Sequence, residues 1–239
     1  MVTTPVMSVV EHLLQERRVD IWFFALENFD DILFRTGEHL SLIGVAIGLA
    51  ILCGIPLGIY ITRHPRAAGP VLYAGAILMT IPSIAMFGLM IPILSTIGHG
   101  IGYVPAVIAV LLYSLLPIVR NTYTAINNVD PALREAARGM GMSSRQRLWQ
   151  IEVPLAIPVI MAGVRSAAVL NIGIMAIAAY IGAGGLGVYI TRGISQTDPR
   201  QLITGAVAIS LLAIIVDLSL WWLQKRLTPS GINSTLTTT

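Results

Sequence analysis

The chain has 239 residues, of which 55% are hydrophobic and only 11% charged, and its mean hydropathy is +0.79. Soluble domains carry about 25% charged residues, so this composition belongs in a bilayer. The net charge of +3 comes from arginines dispersed among short loops, with a single lysine at Lys225, so no basic stripe for nucleic acid forms, and the lone Cys53 excludes an intramolecular disulfide.

Residues 1–37, with Glu38, hold seven of the twelve acids: Glu11, Glu16, Asp20, Glu27, Asp30, Asp31 and Glu38. They alternate with Val9, Leu13, Leu14, Trp22, Phe23, Phe24 and Phe34. This pattern predicts either amphipathic helices at the membrane surface, with Trp22 at headgroup depth, or a helix packed on the flank of a bundle. The cluster Ile21 to Leu26 is too short to span. No basic region precedes a 7–15-residue apolar core, so a cleaved leader is not expected.

Five apolar blocks follow, each long enough for a hydrocarbon core of roughly 30 Å. They run from about Leu40 to Ile61, Val71 to Leu94, Tyr103 to Val119, Leu155 to Ile181 and Leu202 to Leu223. The expected fold is all-α: a polytopic membrane protein with five transmembrane helices over 38–227 and a polar tail at 228–239. Gly44, Gly48, Gly54 and Gly58 would allow close helix approach. Pro56, Pro82, Pro117 and Pro158 suggest kinks that neighbouring helices can satisfy.

Arg63, Arg66, Arg120, Arg134, Arg138, Arg145, Arg147, Lys225 and Arg226 gather on one side of these spans. The other side has Arg17, Arg18, Arg35, Arg192 and Arg200, diluted by acids. By the positive-inside rule the first side is cytoplasmic, which puts the N-terminus outside and the C-terminus in the cytoplasm.

The longest polar interval lies between the third and fourth blocks, at 130–154. Asp130 can N-cap a short helix with Pro131 at its first position. Leu133, Ala136 and Ala137 fall on one side of it, and Arg134 and Arg138 on another. Gly139 and Gly141 are expected to end it. Ser143, three residues before Gln146, begins a second helix with a capping-box pattern, and Pro154 marks the next boundary.

The spacing Glu135-Ala136-Ala137, Gly141, Ile151 and Pro154 resembles the EAA loop of membrane subunits of bacterial ABC importers, with Val153 where leucine is usual. The resemblance extends over LYSLLPIVRNTYT (Leu112–Thr124), VPLAIPVIMAG (Val153–Gly163), IGAGGLG (Ile181–Gly187) and KRLTPSG (Lys225–Gly231). These segments are similar to permeases for glycine betaine, carnitine and choline, and less so to methionine permeases of the same five-helix plan. The resemblance implies a loop that docks into a cytoplasmic ATPase, with Glu135 offering a carboxylate to that partner or to an arginine of the loop. It further implies a second permease subunit, identical or paralogous, and an extracytoplasmic binding protein. ATP would bind the partner, since no phosphate-loop motif occurs in this chain. A permease for another zwitterion, such as methionine, and a stand-alone channel or secondary transporter are the alternatives.

No catalytic constellation is visible. His12, His39, His64 and His99 are scattered without metal spacing. The glycine run after Ile181 follows a membrane helix rather than a strand and reads as a tight turn. Few aromatics lie in the spans (Tyr73, Phe87, Tyr113 and Tyr180 among them), so an aromatic cage for a quaternary ammonium is not expected.

Arg165 and Asp217 lie within the fourth and fifth blocks, roughly 14–17 Å from the loop end at 1.5 Å per residue. An ionised residue at that depth normally faces the protein interior and has a partner. The two are expected to pair, either as a clamp between helices or as a charge on the solute path. Asn171, together with Pro82 and Ser83 at the interruption of the second block, is a further candidate for the translocation path.

Overall fold

The computed structural model describes residues 21–228. Glu11, Glu16, Asp20 and the tail from 229 onward lie outside the described residues, and among those described there is no strand.

The first long helix, α1, spans Phe29–Arg63, starting well before the apolar block at Leu40, with helical residues 21–27 leading into it. Asp30 and Asp31 sit in its first turn, where carboxylates favour the positive helix end. Arg35 then reaches both Asp31, at 3.5 Å, and Glu38, at 3.2 Å. Asp30, Asp31 and Glu38 therefore belong to the polar beginning of the first span. At 35 residues α1 is about 52 Å long, well beyond the hydrocarbon thickness.

The second block is two helices, α2 (Pro65–Thr80) and α3 (Ser83–Ser95), bent by 101°. Pro82 is the cause. The residue before a proline is pushed out of the helical region, and Ile81 has φ −69 and ψ 126. The Ile81 carbonyl released by this break accepts a hydrogen bond from the Tyr113 hydroxyl at 2.5 Å.

The third block is α4, Tyr103–Asn127, longer than its apolar core because polar residues in the last turns bond within the helix. Thr122 Oγ1 donates to the Ile118 carbonyl and Asn121 Nδ2 to that of Pro117. Two short helices follow, α5 (Pro131–Gly139) and α6 (Ser144–Arg147). A π turn, Leu148–Glu152, runs directly into α7, Val153–Met175, and a 3₁₀ stretch, Ala176–Ile181, closes the span. Pro154 thus sits in the first turn of α7, at the expected boundary, although the helical path runs through it without a gap. Lacking an N–H, it cannot complete an α-turn, and the adjacent wide turn, in which Val153 N donates to the Leu148 carbonyl, accommodates this. A short helix, α8 (Gly187–Ser195), precedes the last span, α9 (Pro199–Leu227).

Among the described residues, four helices are long and apolar enough to cross a membrane, and the bent pair taken as one span supplies the fifth crossing. Contacts at the two ends show why. At one end Arg63 meets Glu152 at 2.7 Å, so α2 starts there. At the other, Gly102 N donates to the Ile181 carbonyl at 2.8 Å and Gly185 N to Glu38 Oε2 at 3.0 Å. The chain from Pro65 to Gly102 thus passes from one end to the other.

The core is α1, α4 and α7, with Leu42, Ala46, Ala109, Val110, Ala167, Ile172 and Met175 fully or almost fully buried. A Cβ on Gly58 would come within 2.6 Å of Thr122 Cβ, and one on Gly54 within 2.9 Å of Ile118, so these two glycines set the approach of α1 to α4. Gly44 and Gly48 meet nothing within 4 Å and play no such part.

Candidate functional site

The polar interval folds as two capped helices. Asp130 Oδ1 accepts from Ala132 N at 2.8 Å, with Pro131 in the first turn. At the other end, Met142 N donates to the Ala137 carbonyl and Gly141 N to that of Arg138. This double closure requires a left-handed residue, and Gly141 has φ +78. Gly139 lies in the last helical turn and has no positive φ, so Gly141 alone ends the helix. Ser143 and Gln146 make the capping box, with Ser143 N on Gln146 Oε1 at 2.9 Å and Gln146 N on Ser143 Oγ at 3.3 Å.

Of α5 only Ala137 is buried, whereas Glu135, Ala136 and Gly141 are exposed and Ile151 and Pro154 are half-buried. Leu133, Met140 and Trp149 are exposed among Arg138 and Arg145. They form an exposed apolar surface edged by arginines, of the kind that interaction sites present. Glu135 forms no ion pair with the loop arginines, because Arg134 and Arg147 turn instead to Glu152.

Glu152 is the site residue that sequence reasoning missed. It is 2% exposed. Its Oε2 accepts from Arg63 Nη2 at 2.7 Å and its Oε1 from Arg147 Nε at 3.0 Å, with Arg134 Nε 3.6 Å away. Arg134 Nη2 in turn donates to the Ile126 carbonyl. The available signal was an acid enclosed by Ile151 and Val153 in a segment otherwise rich in arginine.

Arg165 and Asp217 come together as a bidentate pair. Nε donates to Oδ1 and Nη2 to Oδ2, both at 2.8 Å. Arg165 Nη1 also donates to Gln224 Oε1, and Gln224 Nε2 to the Pro158 carbonyl. The pair is not enclosed within the subunit, as its depth suggested: the side chains are 25% and 34% exposed. They border a groove of about 560 Å³ between α7 and α9, lined also by Ala162, Ser166, Val169 and Ile214.

Asn171 is buried, with Nδ2 donating to Ser114 Oγ and the Ala167 carbonyl, which joins α7 to α4. Pro82 is exposed and Ser83 half-buried at the α2–α3 break, far in sequence from the Arg165 groove and outside its lining. At the opposite end of the bundle the Tyr189 hydroxyl donates to Asp31 at 2.7 Å, tying α8 to the start of α1. Burial, reinforced by that carboxylate, pushes the phenol up to about 12. Among the described residues no group of His, Cys, Asp and Glu could hold a metal ion.

Among the described residues, four long apolar helices, a bent fifth and a capped polar loop at one end define a polytopic membrane protein. Residues 54–230 match the family of binding-protein-dependent transport system inner membrane components, and the chain belongs to that family. It is similar to the osmoprotectant import permease protein OsmW of Salmonella typhimurium strain LT2, 57% identical over 214 residues, covering 90% of this chain and 100% of that one. It is 42% identical over 209 residues to the glycine betaine/carnitine/choline transport system permease protein OpuCB of Bacillus subtilis, covering 87% and 94% of the two chains. In fold it resembles a chain of the inward-facing MetNI methionine ABC transporter, with TM-score 0.73 and 22% identity over 83% of this chain and 97% of that one.

Proposed function

We propose that this chain is the permease subunit of an ATP-binding-cassette importer for a small osmoprotectant such as glycine betaine, carnitine or choline, in the bacterial inner membrane. The observation that carries this reading is the 57% identity to an osmoprotectant permease along its whole length. The capped α5–α6 loop would rest in the groove of a cytoplasmic ATPase, which binds the ATP. A second permease copy or paralogue would complete the path, and an extracytoplasmic binding protein would deliver the solute. Phe87 and Tyr113 are buried, and Tyr113 is engaged with the Ile81 carbonyl. They cannot assemble the aromatic cage that quaternary ammonium recognition uses, which supports selectivity residing in the binding protein.

The test is reconstitution in proteoliposomes with the ATPase and binding protein. Uptake of glycine betaine that requires ATP and both partners supports the reading. Flux without the ATPase would favour a channel or secondary transporter, and uptake of methionine alone would reassign the solute.

Arginine placement supports a cytoplasmic loop end and an external start of α1. With Cys53 replaced by Ala, His64→Cys at the exposed α1–α2 junction is expected to react only with membrane-permeant thiol reagents. Gln196→Cys, in the exposed turn before α9, should also react with impermeant ones. The reverse labelling pattern would invert this topology.

A further inference from the structure

We infer that Glu152 is the joint through which the docking loop moves the first long helix, an inference that rests on the proposed role of that loop. A buried carboxylate must be paired and hydrogen-bonded, and a subunit needing only stability could meet that requirement with one arginine. Here three arginines converge on it, each from a different place in the fold. Arg63 is the last residue of α1, Arg134 belongs to α5 and Arg147 to α6. Through the Arg134 bond to the Ile126 carbonyl, the last turn of α4 joins as well.

The backbone beneath Glu152 is the π turn Leu148–Glu152, between the loop and α7. Such wide turns are frequent at functional sites. The two loop helices have little else to hold them. The buried residue of α5 is Ala137, and that of α6 is Arg147, which is itself bound to Glu152. Displacement of their exposed surface therefore reaches α1 through the carboxylate. Charge-assisted bonds of 2.7–3.0 Å in a water-poor setting are short and directional enough to carry it. Glu152 and Arg63 are on this account positioning residues for transport. Neither touches solute.

The link from Glu152 to α1 can be cut without emptying the site. Arg63→Gln leaves Glu152 bonded to Arg147 with Arg134 beside it, and the Arg63 side chain is 33% exposed, so the loop keeps its fold. The experiment uses the whole complex in proteoliposomes with glycine betaine as the probe. It measures ATPase copurification, basal and solute-stimulated hydrolysis, uptake rate, KM and ATP consumed per solute moved.

Arg63→Gln should copurify normally and keep basal hydrolysis and KM. Its maximal uptake should fall at least about fivefold, the lower end of ordinary coupling between sites, and ATP consumed per solute should rise. Arg63→Lys, which restores a charged donor, should recover part of the rate. Glu152→Gln should lose more than Arg63→Gln. Wild-type uptake and stoichiometry in Arg63→Gln would overturn the inference. So would loss of copurification in that variant, which would reduce the cluster to a fold-stabilising role. An unaltered complex showing no solute-stimulated hydrolysis would remove the loop's proposed role, and the joint with it.

Discussion

Gly141→Val is expected to leave the subunit inserted in the membrane while lowering coupled uptake and substrate-stimulated ATP hydrolysis about tenfold or more. Gly141 has φ +78 and sits where two backbone bonds close α5. A β-branched residue held in the left-handed region costs about 1–2 kcal/mol, and the helix–turn–helix would relax by opening that closure. Nothing lies within 4 Å of a Cβ built at this position. The damage would therefore come from backbone strain and from added bulk on the docking surface, not from a clash inside the subunit. No span contains the site, so insertion should be normal. Gly141→Asn separates the two causes. Asparagine tolerates the left-handed conformation better than other non-glycine residues, so this variant should keep more activity than Gly141→Val. Glu135→Ala should be milder than either, since an exposed ion pair with a partner contributes only about 0–1 kcal/mol. The measurement is side-by-side reconstitution with ATPase and binding protein, scoring insertion, copurification and stimulated hydrolysis. Normal coupled transport by Gly141→Val would mean that this loop does not transmit ATPase closure.

The loop helices were legible because their signals are local. Asp130 with Pro131, the Ser143–Gln146 box and Gly141 each act within a few residues, and each has the geometry its residue type demands. The apolar blocks likewise announce their helices, since burial in hydrocarbon needs only composition and length. What was not legible depends on partners distant in sequence. The break at Ile81 follows from Pro82, but the donor to the carbonyl it frees, the Tyr113 hydroxyl, stands 32 positions away on another helix. Pro154 does mark the start of α7, but nothing in the sequence signals the π turn that leads into it without a gap. Gly44 and Gly48 have the same spacing as Gly54 and Gly58, yet only the later pair touches α4. Ten residues at about 100° each rotate the face by a net 80° or so, so both pairs cannot meet one neighbour. Glu152 was obscured for a related reason. In sequence it is one acid in a polar loop, and Arg63 stands 89 positions away.

Breaking the Arg165–Asp217 pair should destabilise the assembled complex, and removing both charges together should restore most of the loss. The guanidinium faces the carboxylate through two bonds of 2.8 Å, a geometry that Lys cannot reproduce. Full burial would set the cost of Arg165→Ala at about 3–5 kcal/mol. The side chains are instead 25% and 34% exposed toward the groove between α7 and α9. The stranded carboxylate keeps some access to water there, so a cost of about 2–3 kcal/mol is expected, in the range for a lost hydrogen bond to a charged group. Lipid is an unsuitable neighbour for such a pair at this depth, so the groove must face water or protein in the assembly. The pair links α7 to α9 directly, and Gln224 extends the link to the Pro158 carbonyl, an arrangement suited to a clamp. A clamp tolerates any replacement that packs. Arg165→Met combined with Asp217→Leu should therefore melt within a few degrees of the parent complex and retain transport, whereas each single change should lower both. Thermal unfolding of the detergent-solubilised complex and uptake by the same variants complete the cycle. Additive stability losses would show that the two residues do not interact. Recovered stability with lost uptake would place the charges on the solute path.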